Sequence, residues 1–235
     1  MTASRAGTLD RFFYLWMSLV IVAVVIYGFS FTIDQNLIHP NIPRPSFLYF
    51  HAGVFSLWLA FLILQSVLVR TSNVIVHRRL GWFGAVLGAV IPIVGVSIAI
   101  TMGRFNAQQL HRSNTEADLI VPLWDMVAFT IPFAWAIYWR RKPEFHRRLI
   151  LVATCALTAA AFGRFPESLL PPTFFYAGVD VLILLGTLRD FWLTRTIHPV
   201  YRYLLPAFVA GQVLTMYIDT HQSHFWVKIA HALLS

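Results

Sequence analysis

The chain has 235 residues, 58% of them apolar and only 12% charged, with a mean hydropathy of +0.67. A soluble domain runs near 45–50% apolar and about 25% charged, so an ordinary water-soluble globule, a disordered chain and a fibrous repeat are all excluded. The formal net charge of +8 would suit a nucleic-acid partner, but the placement of the cations points to a membrane instead.

Hydrophobic windows fall at about 12–33, 46–69, 81–103, 119–139, 149–162, 174–192 and 203–218. At about 20 residues per crossing, they predict an all-α integral membrane bundle of seven transmembrane helices in one domain over residues 1–235. Arg5 and Arg11 precede the first window as they would in a signal peptide. That window ends in Gly28-Phe29-Ser30-Phe31 without a small-x-small cleavage pattern, so a retained span is expected. The seventh window is short and interrupted by Pro206 and Gln212. The stretch 225–234 is too short to cross and is expected on the surface.

With the N-terminus inside, thirteen of the lysines and arginines fall in inner segments and five in outer ones. This bias sets the N-terminus in the cytoplasm and the C-terminus outside. It also accounts for the basic pI without nucleic acid, and makes the lipid bilayer the first partner. The single cysteine, Cys155, excludes an intrachain disulfide and any Cys-x-x-Cys site.

Two further features concern packing. Gly84-x-x-x-Gly88 predicts close approach of a neighbouring backbone to the third span. The small residues of the fifth span, Ala153 to Gly163, predict the most enclosed helix. The eight tryptophans mostly fall near span ends, as in an interfacial belt.

An internal echo stands out. His77-Arg78-Arg79-Leu80 opens the third span and His146-Arg147-Arg148-Leu149 the fifth. Each is followed by an arginine at the far end, Arg104 or Arg164, and an aspartate in the returning helix, Asp125 or Asp180. Two tandem helical hairpins are expected. Their histidines have two readings: helix starts seated among anionic head groups, or facing axial ligands of a b-type haem.

Ionisable groups within hydrocarbon are expensive and usually functional. His51, Asp125 and Asp180 lie at similar depth in the outer half, with Arg104 and Arg164 at the adjoining helix ends. They predict either two ion pairs, Arg104–Asp125 and Arg164–Asp180, or a shared pocket for a small polar ligand or a proton. His51 would be the titrating member of such a pocket. One histidine with two carboxylates is an unspecific metal set, and no metal is assigned. Gln65 is a lesser candidate, expected to hydrogen-bond a neighbouring helix.

GxSxG, Walker, HExxH and GxGxxG motifs are absent, and both lysines, Lys142 and Lys228, fall in loops. No catalytic residue is assigned, and the reading leans away from an enzyme. The choices left open are a ligand-binding or proton-relaying membrane protein, a b-type haem redox protein, and a structural or assembly subunit of a membrane complex.

Several features together resemble a widespread family of bacterial polytopic inner-membrane proteins to which no activity is assigned. They are His51 with Trp58 and Gln65, His77-Arg78-Arg79-Leu80-Gly81, His146-Arg147-Arg148-Leu149 with Ala153-Thr154, Arg164, Asp180 and Ile197-His198-Pro199. The resemblance implies the bacterial plasma membrane. The histidine-basic helix starts alone also resemble those of small haem-binding or haem-oxidase-assembly membrane proteins.

Overall fold

The computed structural model describes the backbone of residues 2–235 and the side chains of residues 12–235. Arg5 and Arg11 lie outside the residues whose side chains are described. Among the described residues the chain is 82% helical and without strand. The helices in order are α1 (Thr2–Ser30), α2 (Ser46–Arg70), α3 (Val74–Gln108), α4 (Thr115–Asp118) and α5 (Ile120–Tyr138). After them come α6 (Pro143–Ala156), α7 (Ala159–Phe162), α8 (Phe175–Thr194), α9 (Pro199–His221) and α10 (His224–Leu234).

Five stretches are long and apolar enough to cross a membrane: Phe12–Ser30, Ser46–Arg70, Val74–Gln108, Thr115–Tyr138 and Pro143–Phe162. The chain is a helical bundle of membrane-protein character. α8 and α9 are 20 and 23 residues long but less apolar. Asp180, Arg189 and Asp190 lie within α8, and Arg202, Gln212 and Asp219 within α9.

Helix limits depart from the hydropathy windows where local chemistry differs from side-chain hydrophobicity. α3 has 35 residues, about 52 Å of helix against roughly 30 Å of hydrocarbon. It therefore begins before His77 and ends beyond Arg104. α9 starts at Pro199, whose ring suits the first helical position, with His198 as its N-cap accepting from the Val200 amide. The fifth window is split into α6 and α7. Thr158 Oγ1 donates to the Cys155 carbonyl at 2.6 Å and Thr154 Oγ1 to that of Ile150 at 2.9 Å, and such back-bonding competes with the helical ladder.

α6 is the enclosed helix: 67% of its span is buried, against 11–44% for the other four candidate spans. The glycines act differently from the GxxxG expectation. Gly84 receives the Phe61 ring of α2, and Gly88 the Phe133 ring of α5, so the third span makes room for aromatic side chains rather than for a backbone. The backbone approach occurs at Gly28 of α1, which lies against the main chain of Ala161 in α7. Trp58 also leaves the expected belt. It is buried in the core edge-on to Phe129 and Phe133, whereas Trp16, Trp82, Trp135 and Trp192 are exposed.

α10 packs Ala230 and Leu234 against Leu119, Ala99 and Ile100. Arg104 donates to the Leu233 carbonyl at 3.0 Å, placing a cation at the C-terminus of α10, where the helix dipole favours one. The alternating path puts the starts of α3 and α6 at the same end of the bundle as the end of α2. This is the basic end.

Candidate functional site

At the end opposite the basic one, the groups expected to cluster have separate partners. Asp125 is buried in α5 and accepts from the Tyr176 hydroxyl of α8 at 3.0 Å. Asp180 faces Gln212 of α9. His51 packs on Phe55 with ring centres 4.2 Å apart, its Nδ1 is buried without a hydrogen-bond partner, and Arg164 lies within electrostatic reach. Arg164 donates to Thr32 Oγ1 and the Ala160 carbonyl, and covers the Phe29 ring.

Neither Arg104–Asp125 nor Arg164–Asp180 forms an ion pair. Tyr176 meets the need of Asp125 for a donor, and Arg104 is held by α10. Among the described residues, no three histidine, cysteine or acidic side chains come close enough to share a metal ion.

The basic end is organised around a cavity of about 1020 Å³ between α1, α2, α3, α5 and α6. α2 supplies one wall from Trp58 to Arg70, about 18 Å of helix. The mouth carries Arg70, Arg78, Arg140, Arg141 and Arg147, and among the described residues no carboxylate lines the space. The deep end is apolar and aromatic, with Phe61, Phe133 and Leu151. Several of these cations are laid over rings: Arg70 over Phe12 at 3.6 Å and Arg140 over Trp82 at 5.4 Å. Such contacts help to hold guanidinium groups in place, and Arg147 also donates to Glu144 Oε2 at 2.8 Å.

Between mouth and floor the walls carry unsatisfied polar atoms. Both amide atoms of Gln65, Nε1 of Trp58 and Nδ1 of His77 are buried without a hydrogen-bond partner. Gln65 thus makes no bond to a neighbouring helix. Native interiors leave few such atoms unpaired, because each costs about 1–3 kcal/mol. These four atoms line one space.

The two echoed histidines meet in this cavity. The His77 and His146 ring centres are 6.5 Å apart, with planes at 74°. His146 Nδ1 lies 2.9 Å from the Ala136 carbonyl of α5. Opposite a carbonyl, Nδ1 is the protonated nitrogen, which leaves Nε2 with its lone pair.

Sequence reasoning did not identify the ionic centre beside the cavity. Arg148 and Asp190, only 4% and 1% exposed, pair across α6 and α8, and Glu144 Oε2 and the Glu144 carbonyl also accept from Arg148. Arg189 donates to Asp190 at 2.8 Å. The available signal was the Glu144–Arg148 spacing of four on one helix face. Asp190 was hidden by its position beside Arg189 at a span end.

The search for similar proteins found no matching family model, curated protein or solved structure.

Proposed function

We propose that the chain is a seven-span protein of the bacterial plasma membrane, its basic end cytoplasmic, that binds an amphipathic ligand with an acidic head group in the basic-end cavity. One observation carries this: Arg70, Arg78, Arg140 and Arg141, with the Glu144-paired Arg147 beside them, surround the mouth of a cleft that has an aromatic floor and, among the described residues, no carboxylate in its lining. Cations on exposed faces are usually solvated, but a ring of them over an apolar cleft of about 18 Å complements a head-and-tail molecule. The buried Gln65 amide and Trp58 indole lie where polar atoms along such a ligand would be received. The volume falls at the upper end of the usual range for ligand pockets, roughly 300–1,000 Å³.

The opposite end supports this role less well. Asp125 already has a donor, Asp180 faces an amide and His51 packs on a phenyl ring, so each of the three has a neighbour of its own.

The test is thermal unfolding of the detergent-purified full chain with oleoyl lysophosphatidate, and with monooleoylglycerol as the headless control. Ligand at a hundredfold excess over Kd adds about 2.7 kcal/mol, a rise of several degrees. The acidic amphiphile is expected to raise Tm, the neutral one is not, and Arg78→Gln with Arg141→Gln is expected to reduce the rise. An equal response to both compounds, or none, overturns the reading and leaves a structural or assembly subunit.

A further inference from the structure

We propose that His77 and His146 are the two axial ligands of an iron porphyrin of the b-type haem class, seated in the basic-end cavity. This deepens the cavity reading and rests on it.

The first argument is the spacing. Ring centres 6.5 Å apart lie at the far edge of aromatic contact, where an imidazole pair gains little by itself. Two imidazoles bound through nitrogen to one metal at roughly 2 Å per bond have ring centres about 6 Å apart. The histidines stand on different helices, α3 and α6, so each approaches from its own side. A hydrogen-bonded imidazole pair would sit closer, and a repelling pair would turn outward to the exposed surface where Arg78 and Arg79 lie.

The second argument is the state of the ring nitrogens. The Ala136 carbonyl, on a third helix, fixes the ring of His146 and its tautomer. A backbone carbonyl on the remote nitrogen is the usual device for orienting a metal-ligating histidine and raising its basicity. His77 lines the same cavity and keeps a buried Nδ1 without any protein partner. With no protein partner on Nδ1, the chain does not fix the tautomer of the His77 ring, and its Nε2 is left to be set by what enters the cavity.

The third argument selects the type of metal group. A bare zinc or copper ion needs three or four protein ligands. Among the described residues no third histidine, cysteine or carboxylate joins the pair. A metal that arrives with four equatorial nitrogens of its own needs only two more. A planar macrocycle also needs an apolar slot, which Phe61, Phe133 and Leu151 provide, and cations for its two carboxylates, which the arginine mouth provides. With both axial positions taken by imidazole, the iron would be six-coordinate and closed to exogenous ligands.

The echo in the sequence gains a physical reason on this reading. Each hairpin contributes one His-Arg-Arg start, and the two starts reach the same end of the bundle because the hairpins run alike. Only the second copy buries its last arginine, Arg148, in an ion pair with Asp190. That anchor holds α6, and His146 with it, against α8, while the wall carrying His77 is exposed at Arg78 and Arg79. The geometry points to a group entering from the α3 side.

The test titrates the apo full-length protein in detergent with haemin and, in parallel, with metal-free protoporphyrin IX. Haemin is expected to bind saturably, with the optical and electron-spin-resonance signature of low-spin bis-imidazole iron. Protoporphyrin IX is expected to bind more weakly. Loss of a second-shell partner alone weakens metal binding roughly 10–100-fold, so His77→Ala or His146→Ala should weaken haemin binding by at least that much and convert the iron to high spin. Added imidazole should restore the low-spin spectrum in either variant, which shows that the variant is folded. Haemin bound no more tightly than protoporphyrin IX, or a low-spin spectrum that survives both substitutions, overturns the haem assignment. If lysophosphatidate still stabilises the protein in that event, the cavity reading stands alone; if neither porphyrin nor lysophosphatidate binds, both fall.

Discussion

Arg148 and Asp190 form a two-pronged ion pair inside the bundle, Nε to Oδ2 at 2.7 Å and Nη2 to Oδ1 at 2.8 Å. The paired groups lie on α6 and α8; Glu144 accepts from Arg148 through its carbonyl and its Oε2, and Arg189 donates to Asp190. The clamp fixes the helix start from which His146 projects, and with it one wall of the cavity.

Breaking that clamp on one side leaves a buried charge without its partner, which costs about 3–5 kcal/mol. Asp190→Ala is therefore expected to lower the thermal midpoint severely. Removing both charges with an apolar pair is often neutral or better, so Arg148→Met with Asp190→Leu should recover much of the loss. Unfolding in detergent of the two singles and the double decides it, and strictly additive losses would show that the two groups do not act as a pair.

At the other end, Asp125 should couple to Tyr176 and not to Arg104. Groups in contact show interaction energies of about 0.5–3 kcal/mol, and separated ones add within about 0.5 kcal/mol. A double-mutant cycle with Tyr176→Phe and Asp125→Ala should give the larger figure. The cycle pairing Asp125→Ala with Arg104→Ala should give the smaller, because Arg104 is occupied by the Leu233 carbonyl. Substantial coupling in that second cycle would restore the ion pair suggested by residue order.

These two ends show why some of the molecule is legible in the sequence and some is not. Hydrocarbon rejects bare backbone, so long apolar runs must be helices, and the windows beginning at 46 and ending at 69 coincide closely with α2. The limits of α3 and the α6–α7 break depend on hydrogen bonds that hydropathy does not contain. Residue order also suggests which charges could pair, but pairing is decided by rotation about helix axes. Tyr176 reached Asp125 because α8 turns it inward, and nothing in the spacing of Arg104 and Asp125 encodes that turn. Gln65, His77 and His146 are each visible as polar residues in or beside apolar runs. The space they share is a property of five packed helices, so it emerges only in three dimensions.

His198 gives the fold an acid-sensitive joint. It lies between α8 and α9, where burial first and the Arg148 guanidinium second hold its pKa below the ordinary 6.5, with Asp190 and Glu144 opposing. The folded chain therefore takes up this proton less readily than the unfolded chain, and stability falls as pH drops through the range beneath 6.5. Protonation also removes the Nδ1 lone pair that accepts from the Val200 amide at 3.3 Å. Asparagine caps helices well and does not titrate. His198→Asn should thus lose less of its thermal midpoint between pH 7.5 and 5.5 than the parent chain. An equal loss would place the acid sensitivity elsewhere.

The Gln65 amide separates a structural cavity from a functional one. Buried in α2 with neither oxygen nor nitrogen partnered, it costs the ligand-free fold about 1–3 kcal/mol. A leucine of similar size carries no such cost. Gln65→Leu is therefore expected to raise the thermal midpoint of the empty protein while diminishing the rise produced by lysophosphatidate or haemin. Those opposite movements are what a residue kept for a ligand at the expense of stability should show. A residue kept for packing would behave in the other sense, with a lower midpoint in the empty protein and an unchanged ligand response. The two measurements on one variant thus decide whether the polar wall of the cavity serves the fold or its occupant.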